Sequence, residues 1–370
     1  MTSTLGIKKI QYPNGTNSIT IDSSGSADIT TANITTATIT TANVTTAAIT
    51  TANVTNATAT GTITTPSINS SQIGGRRNLI INGAMAVNQR GATSGITSGY
   101  FVDRFRLSGC SASAVITSNT PTEFPTAITV SATSGNPIVS QRVESKNVQH
   151  LSGKTVTASF LAKNVSNATT LYVSLAYAGS ADSWGSSTTI SEQNLGTLTG
   201  NWVKYTASWT VPAGGLNGLG LNILCAGSST FTMGVAGVQL EVGSQATEFE
   251  HAPFAEELSL CQRYYVRAGG ANYANIFGTG GIANTTGSWF GFGNIPVPMR
   301  TGFTLTLSGG TPRIQNGQAG YNASSVSMSL QSTHGTGLSA GCNASGLTLY
   351  RWHNMDAGAS AALFELDAEL

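Results

Sequence analysis

Two hydrophobic periods divide the chain. Between residues 29 and 54 the β-branched apolar residues fall at Ile29, Ile34, Ile39, Val44, Ile49 and Val54, one every five positions. The units read ADITT, ANITT, ATITT, ANVTT, AAITT and ANVTN. The period slips near Ala59–Gly61 and resumes at Ile63, Ile68 and Ile73. Five is neither the about 3.6 of a helix nor the about 2 of a plain strand. From Arg76 onward the pattern changes to period two. Val156, Ala158, Phe160 and Ala162 alternate with polar residues, as do Leu171, Val173, Leu175 and Tyr177. So do Val203, Tyr205, Ala207, Trp209 and Val211, then Leu219, Leu221, Ile223 and Cys225, and later Val238, Leu240 and Val242. Such segments, separated by Gly, Ser and Asn turns, predict an antiparallel two-sheet sandwich over 76–250.

A unit with one apolar knob per five residues cannot bury that knob alone. One solution winds the chain on itself as a four-sided β-helix, which resembles the pentapeptide-repeat family. The segment supplies only about two coils, short of the roughly three repeats that a stable stack needs. The other solution puts three chains on one axis and buries Ile34, Ile39, Val44 and Ile49 together. A shared homotrimeric stalk over 29–75 is the expectation. A disordered linker would have no reason to keep Ile and Val in register. Ahead of the stalk, residues 1–28 read as two short strands around Pro13–Asn14–Gly15, a cap or docking piece.

Residues 251–267 contain the best helix candidate, FAEELSLCQRYYVR, with Pro253 before it and Glu256 and Glu257 in its first turn. It is expected to bridge two domains. Beyond it, a Gly/Asn-rich stretch and then WFGFGN, FTLTLSG, VSMSLQS, LTLYRWH and AALFELDAEL predict a smaller β-sandwich over 268–370. The expected fold class is all-β.

Composition narrows the function. Lys and Arg number 17, Asp and Glu 16, so charged residues make up 9% and the net charge is +1. No basic excess is present to neutralise phosphates, which speaks against nucleic acid. No apolar run is long enough to span a membrane, and MTSTLGIKKI lacks the pattern of a secretory signal. A surface kept soluble by hydroxyls and amides fits a rigid assembly better than a cytosolic enzyme. Cys110, Cys225, Cys261 and Cys342 are widely spaced and read as buried free thiols rather than a disulfide or zinc framework. The sequons at Asn33, Asn43 and Asn53 are a by-product of the repeat. No phosphate-binding, zinc-protease or nucleophile-elbow motif occurs, and no cofactor is expected.

Several stretches resemble bacteriophage tail fibres: GGRRNLIINGAMAVNQRG at 74–91, YFVDRF at 100–105, LSGKTVTASFLAK at 151–163, GNWVKYTASWTVP at 200–212 and GVQLEVGSQATEFEHAPFAEELSLCQRYY at 237–265. The middle domain also resembles a carbohydrate-binding-module jelly roll. The resemblance covers about 76–265 and extends only weakly to the C-terminal domain. It implies an elongated homotrimer in the virion, docked to tail proteins through its N-terminus and meeting a host-surface glycan or outer-membrane component. Jelly rolls of this type often hold calcium beside an acidic pair before the last strand. Here those positions are Ala236 and Gly237, which removes the anionic ligands that calcium needs.

Recognition of a sugar stacks its ring on an aromatic face. Tyr273 and Trp352 in the C-terminal domain are the leading candidates, with Trp184, beside Asp182 on the sandwich, next. Phe277 and Trp202 are weaker, and Trp209 reads as core. Cleavage would need two carboxylates flanking a bond. Glu256 and Glu257 read as diverging surface acids, and Asp103 as a partner of Arg104 or Arg106 or as a turn anchor. His150, His251, His334 and His353 are scattered and read as surface or turn residues, although single histidines could meet on a trimer axis. A non-enzymatic receptor-binding fibre is therefore expected, with a polysaccharide-degrading tailspike or a purely structural tail or head decoration protein as alternatives. The stalk reading is checked by sedimentation. The wild-type chain should run as a trimer, and Ile39→Asp, which puts three unpaired charges in one core at several kcal/mol each, should dissociate it.

Overall fold

The computed structural model describes residues 76–91, 96–117, 120–124, 126–332 and 335–370. The docking segment 1–28 and the stalk residues Ile34, Ile39, Val44 and Ile49 lie outside them, as does His334. All described residues belong to one compact unit, Thr64–Leu370, and they form two all-β sandwiches.

The first sandwich contains β1 (Gly99–Val102), β2 (Phe105–Thr117), β3 (Ala127–Val143), β4 (Thr155–Ser180), β5 (Ser183–Thr197), β6 (Val203–Thr210) and β7 (Leu219–Val242). Their order is β1-β2-β3-β7-β4-β5, with β6 also on β4, and every pairing is antiparallel. The segments that alternate in the sequence as separate short strands are joined here into long ones. β4 folds over on itself. Val156 pairs with Trp209, and Leu175, nineteen residues on, pairs with Ser191. In a straight strand these positions would stand about 63 Å apart. Yet the Trp209 indole Nε1 donates to the Ser191 carbonyl at 3.1 Å, so the two halves of β4 face each other. Register shifts between Asn164 and Thr170 mark the bend, and β3 breaks register between Ala132 and Ile138.

The core follows from that bend. Val156, Ala158 and Phe160 from one half of β4 share a cluster with Leu171, Val173 and Leu175 from the other. Trp209 is buried as expected, 4% exposed. Ala236 packs against Ala127 and Phe124. Gly237 has φ +57, and a Cβ there would stand 2.4 Å from the Phe124 ring.

The predicted helix is shorter than expected. Helix α2 spans Phe254–Gln262; a four-residue α1, Ser145–Val148, precedes it in the first sandwich. Tyr265 starts strand β8 (Tyr265–Gly269) instead of extending α2, because Tyr265, Val266 and Arg267 pair with a late strand. Glu256 and Glu257 do not diverge: both reach Arg76, at 3.1 and 2.6 Å.

The second sandwich continues with β9 (Asn275–Thr285), β10 (Ser288–Asn294), β11 (Thr304–Ser308), β12 (Arg313–Gln315), β13 (Gly320–Asn322), β14 (Ser325–Leu330), β15 (Gly337–Asn343), β16 (Trp352–Asp356) and β17 (Leu363–Asp367). A seven-stranded sheet, β13-β12-β16-β9-β10-β15-β14, packs on a three-stranded one, β11-β17-β8. Trp289, Ile314, Met355 and Phe364 meet between them.

A charged junction joins the two sandwiches. Arg104, 1% exposed, pairs with Glu369, and its guanidinium lies 3.5 Å from the centre of the Tyr264 ring. Arg90 bridges Asp367 at 3.1 Å and Glu369 at 3.3 Å, over the Tyr265 ring. Arg263 holds the buried Glu144 through two nitrogens. Asp103 is fully buried, and its partner is neither Arg104 nor Arg106. Its Oδ2 accepts hydrogen bonds from Gln89 N and Nε2 at 2.9 and 3.0 Å, and Arg90 Nε stands 4.0 Å from Oδ1. Burial raises the Asp103 carboxyl from 3.8 to about 6, against the opposing pull of Gln89 and Arg90. The folded chain thus holds this proton more tightly than the unfolded one. The stability it contributes is full below pH 4 and is lost as pH rises through about 6, by up to about 3 kcal/mol. Urea midpoints should fall between about pH 4 and pH 7 in the wild type, and Asp103→Asn should flatten that fall.

Candidate functional site

Residues directly paired across a sheet lie on the same side of it. On the seven-stranded sheet one row runs Trp352, Ile282, Phe290, Gly341, Ser327, across β16, β9, β10, β15 and β14. The next row runs Gln315, Asn354, Gly280, Phe292, Ser339, Ser329. Alternation sends the residues between them, His353, Gly281, Gly291 and Ala340, to the buried side. The outward side carries four large apolar groups in solvent: Trp352 at 61% exposure, Phe292 at 51%, Phe290 at 45% and Ile282 at 43%. With seven strands at about 4.8 Å each, the face is about 29 Å across, far larger than a single stray side chain.

The aromatic groups are held in place. The Trp352 ring lies flat on Gly280, where a Cβ would stand 2.4 Å from it. Its Nε1 donates to Asn354 Oδ1 at 3.0 Å. Phe290 and Phe292 meet edge to face at 4.9 Å. At one edge Arg313 is bound to Asp356 at 2.8 Å and lies 4.6 Å from the centre of the Tyr273 ring. Tyr273 has φ 60, and its N–H bonds Gly358 O at 2.9 Å, which fixes this left-handed residue at the edge of the platform. Beside Phe290 the missing side chain of Gly341 opens a groove of about 460 Å³, walled by Ile282 and Phe290 on one side and Ser325 and Ser327 on the other.

Of the candidates from the sequence, Trp352 stands on this sheet, and Tyr273 lies in the turn before β9, beside its edge. Trp184 belongs to the first sandwich, with its ring on Gly220 and Arg142 at 4.8 Å. Its neighbour Asp182 accepts hydrogen bonds from Ser145 N and Oγ. Phe277 is half-buried in the second core. Trp202 lies over Gly234 with Lys163 beside it. His353 is fully buried, against the expectation of a surface histidine, and its Nδ1 lies 2.7 Å from Arg351 O. Cys225, Cys261 and Cys342 are buried thiols, as expected. Burial pushes the Cys342 thiol up to about 12, which keeps it protonated near neutral pH. Among the described residues no group of three His, Cys, Asp or Glu could hold a metal ion, and no helix is long and apolar enough to cross a membrane.

Ile282, Phe290 and Phe292 were not legible as site residues. WFGFGN reads as a strand, without saying which of its sides is buried. The phenylalanines face outward because Trp289 fills the interior, and a Cβ on Gly291 would stand 2.4 Å from its ring. The signal was there: a glycine at every second position marks the crowded side.

No protein-family model matches the chain, and no curated protein matches it. Among solved structures it is similar to the enzymatically active domain of bacteriophage CBA120 tailspike protein 4, at 16% identity and TM-score 0.32, over 45% of this chain and 21% of that one. It is also similar to the C-terminal family 22 carbohydrate binding module of Clostridium thermocellum Xyn10B, at 16% identity and TM-score 0.30, over 42% and 99%. A third is TmCBM61 in complex with β-1,4-galactotriose, at 12% identity and TM-score 0.30, over 45% and 99%. At such scores these likenesses assign nothing to this chain.

The seating of Trp352 can be tested. Gly280→Ala should lift the indole off the sheet. The Trp352 emission, read as the difference from the Trp352→Phe variant, should then be quenched more strongly by acrylamide, with the melting temperature lowered by only a few degrees.

Proposed function

We propose that the protein is a trimeric tail-fibre subunit of a phage virion, attached through its N-terminal part, that recognises a host-surface glycan without cutting it. Two things support the reading. The stretches between 74 and 265 resemble tail fibres. The observation that carries the recognition itself is the outward face of the seven-stranded sheet, where Trp352, Phe290 and Phe292 stand in solvent beside Asn354 and Gln315.

The chemistry suits sugars. The apolar faces of pyranose rings stack on aromatic rings, and amides read the hydroxyl groups from the side. The carboxylate of this face, Asp356, is tied to Arg313, which leaves it as a buttress for Tyr273 rather than half of a catalytic pair. Weak single sites suffice in a trimer. Effective concentration raises avidity by about 10²–10⁴-fold when several sites engage together.

The test is adsorption of phage carrying single substitutions, with trimer assembly checked separately. Trp352→Ala and Tyr273→Ala should each lower adsorption about tenfold, in line with the loss of about 1.4 kcal/mol of stacking per site. Trp184→Ala should leave adsorption unchanged. Unchanged adsorption in both of the first two, with folding intact, removes the face from the function.

A further inference from the structure

We infer that the groove beside Phe290 is the primary subsite of this face and that it takes an uncharged glycan. The inference rests on the reading of the face as a glycan platform and adds the ligand's class and place. The groove is about 460 Å³, within the usual range for a ligand site. Its floor is Gly341, between Phe290 of β10 and Ser327 of β14. Asn284 and Asn343 contribute amides and Ser288 a hydroxyl, and no lining residue carries a charge. An acidic sugar would have to leave its carboxylate or phosphate in a groove without a cation, and burying an unpaired charge is costly. Arg351, one residue before Trp352, does not line the groove, and Arg313 is neutralised by Asp356. Hydroxyl groups find both donors and acceptors in amides and serines.

The row geometry gives the direction of the ligand. Trp352 and Phe290 stand two strands apart, about 9.6 Å, the reach of two sugar rings in an extended chain. A ring on Trp352 and a ring on Phe290 place the chain across the strands, over Ile282, with its next residue above Gly341. Gly341 then acts as a selector: a branched side chain there would occupy the ring's place. The backbone permits the substitution, since an added Cβ meets the Ser327 Oγ at 3.2 Å and the Trp289 carbonyl at 3.8 Å.

The full-length chain is tested on an array of uncharged oligosaccharides matched with uronic-acid, sialylated and phosphorylated counterparts, at low and high salt. Retention of uncharged members, insensitive to salt, is expected. Gly341→Val and, from the opposite wall, Ser327→Val should each lower that retention at least tenfold with the melting temperature preserved, while Gly341→Ala should retain most of it. Binding confined to acidic members, retention that collapses in salt, or no retention of any member overturns the proposal. If Trp352→Ala lowers adsorption and both groove variants bind as the wild type, the groove falls and the glycan platform stands. If none of these variants changes binding, both fall. Loss of the oligomer in Trp352→Ala would identify a second copy of the chain as the occupant and overturn the proposal as well.

Discussion

The pairing of β4 with β7 is the constraint on which the first sandwich depends. β7 hydrogen-bonds to β3 on one side and β4 on the other along most of its length, so a bend in one strand must be shared by its neighbours. The bend brings Trp209 to Ser191 and closes a single core from both halves of the ribbon. Without it, the alternating apolar side chains of β4 would cover one face of a long open sheet. The short polar residues from Asn164 to Thr170 are where the ladder loses register and where closure becomes possible.

Several of the scarce charges are gathered where the two sandwiches meet, away from the outward face of the seven-stranded sheet. Arg90, Arg104, Arg263 and Glu144 sit with Glu369 and Asp367 at the meeting of the two sandwiches. There each charge has a partner, and Tyr264 and Tyr265 supply ring faces for the guanidinium groups. Removing one member would leave another buried and unpaired, which costs more than the pair itself contributes. The result is a joint of fixed geometry carrying a sheet whose outward face is almost free of ions. A sheet mounted in this way would lose little free energy to ordering on contact with a ligand.

Much of this was legible in the sequence. The period-two runs at Val156–Ala162 and Leu219–Cys225 gave strands with the correct inward residues, because one buried face imposes alternation. The joining of neighbouring runs into bent strands was not legible, since a turn and a bulge use the same Asn, Ser and Gly residues. The end of α2 was misplaced for a related reason. Arg263, Tyr264 and Tyr265 continue a plausible helical face, and only pairing with Leu366 and Asp367, far along the chain, takes Val266 and Tyr265 into a strand. Trp352 and Tyr273 could be singled out as aromatic residues in polar surroundings. Phe290 and Phe292 could not, because their side of β10 is decided by the volume of Trp289 on the other.

The pairing of β8 with β17 also orders events during synthesis. Tyr265 finds Asp367, and Gly269 finds Leu363, so the first strand of the second sandwich leaves the ribosome with its partner still untranslated. The first sandwich draws its strands from an earlier stretch and can close while translation continues. The second stays open, with β8 an unpaired edge, until β17 has emerged. Glu369 then reaches Arg104 and Arg90, so completion of the second sandwich and its locking to the first both wait for the stretch that carries β17.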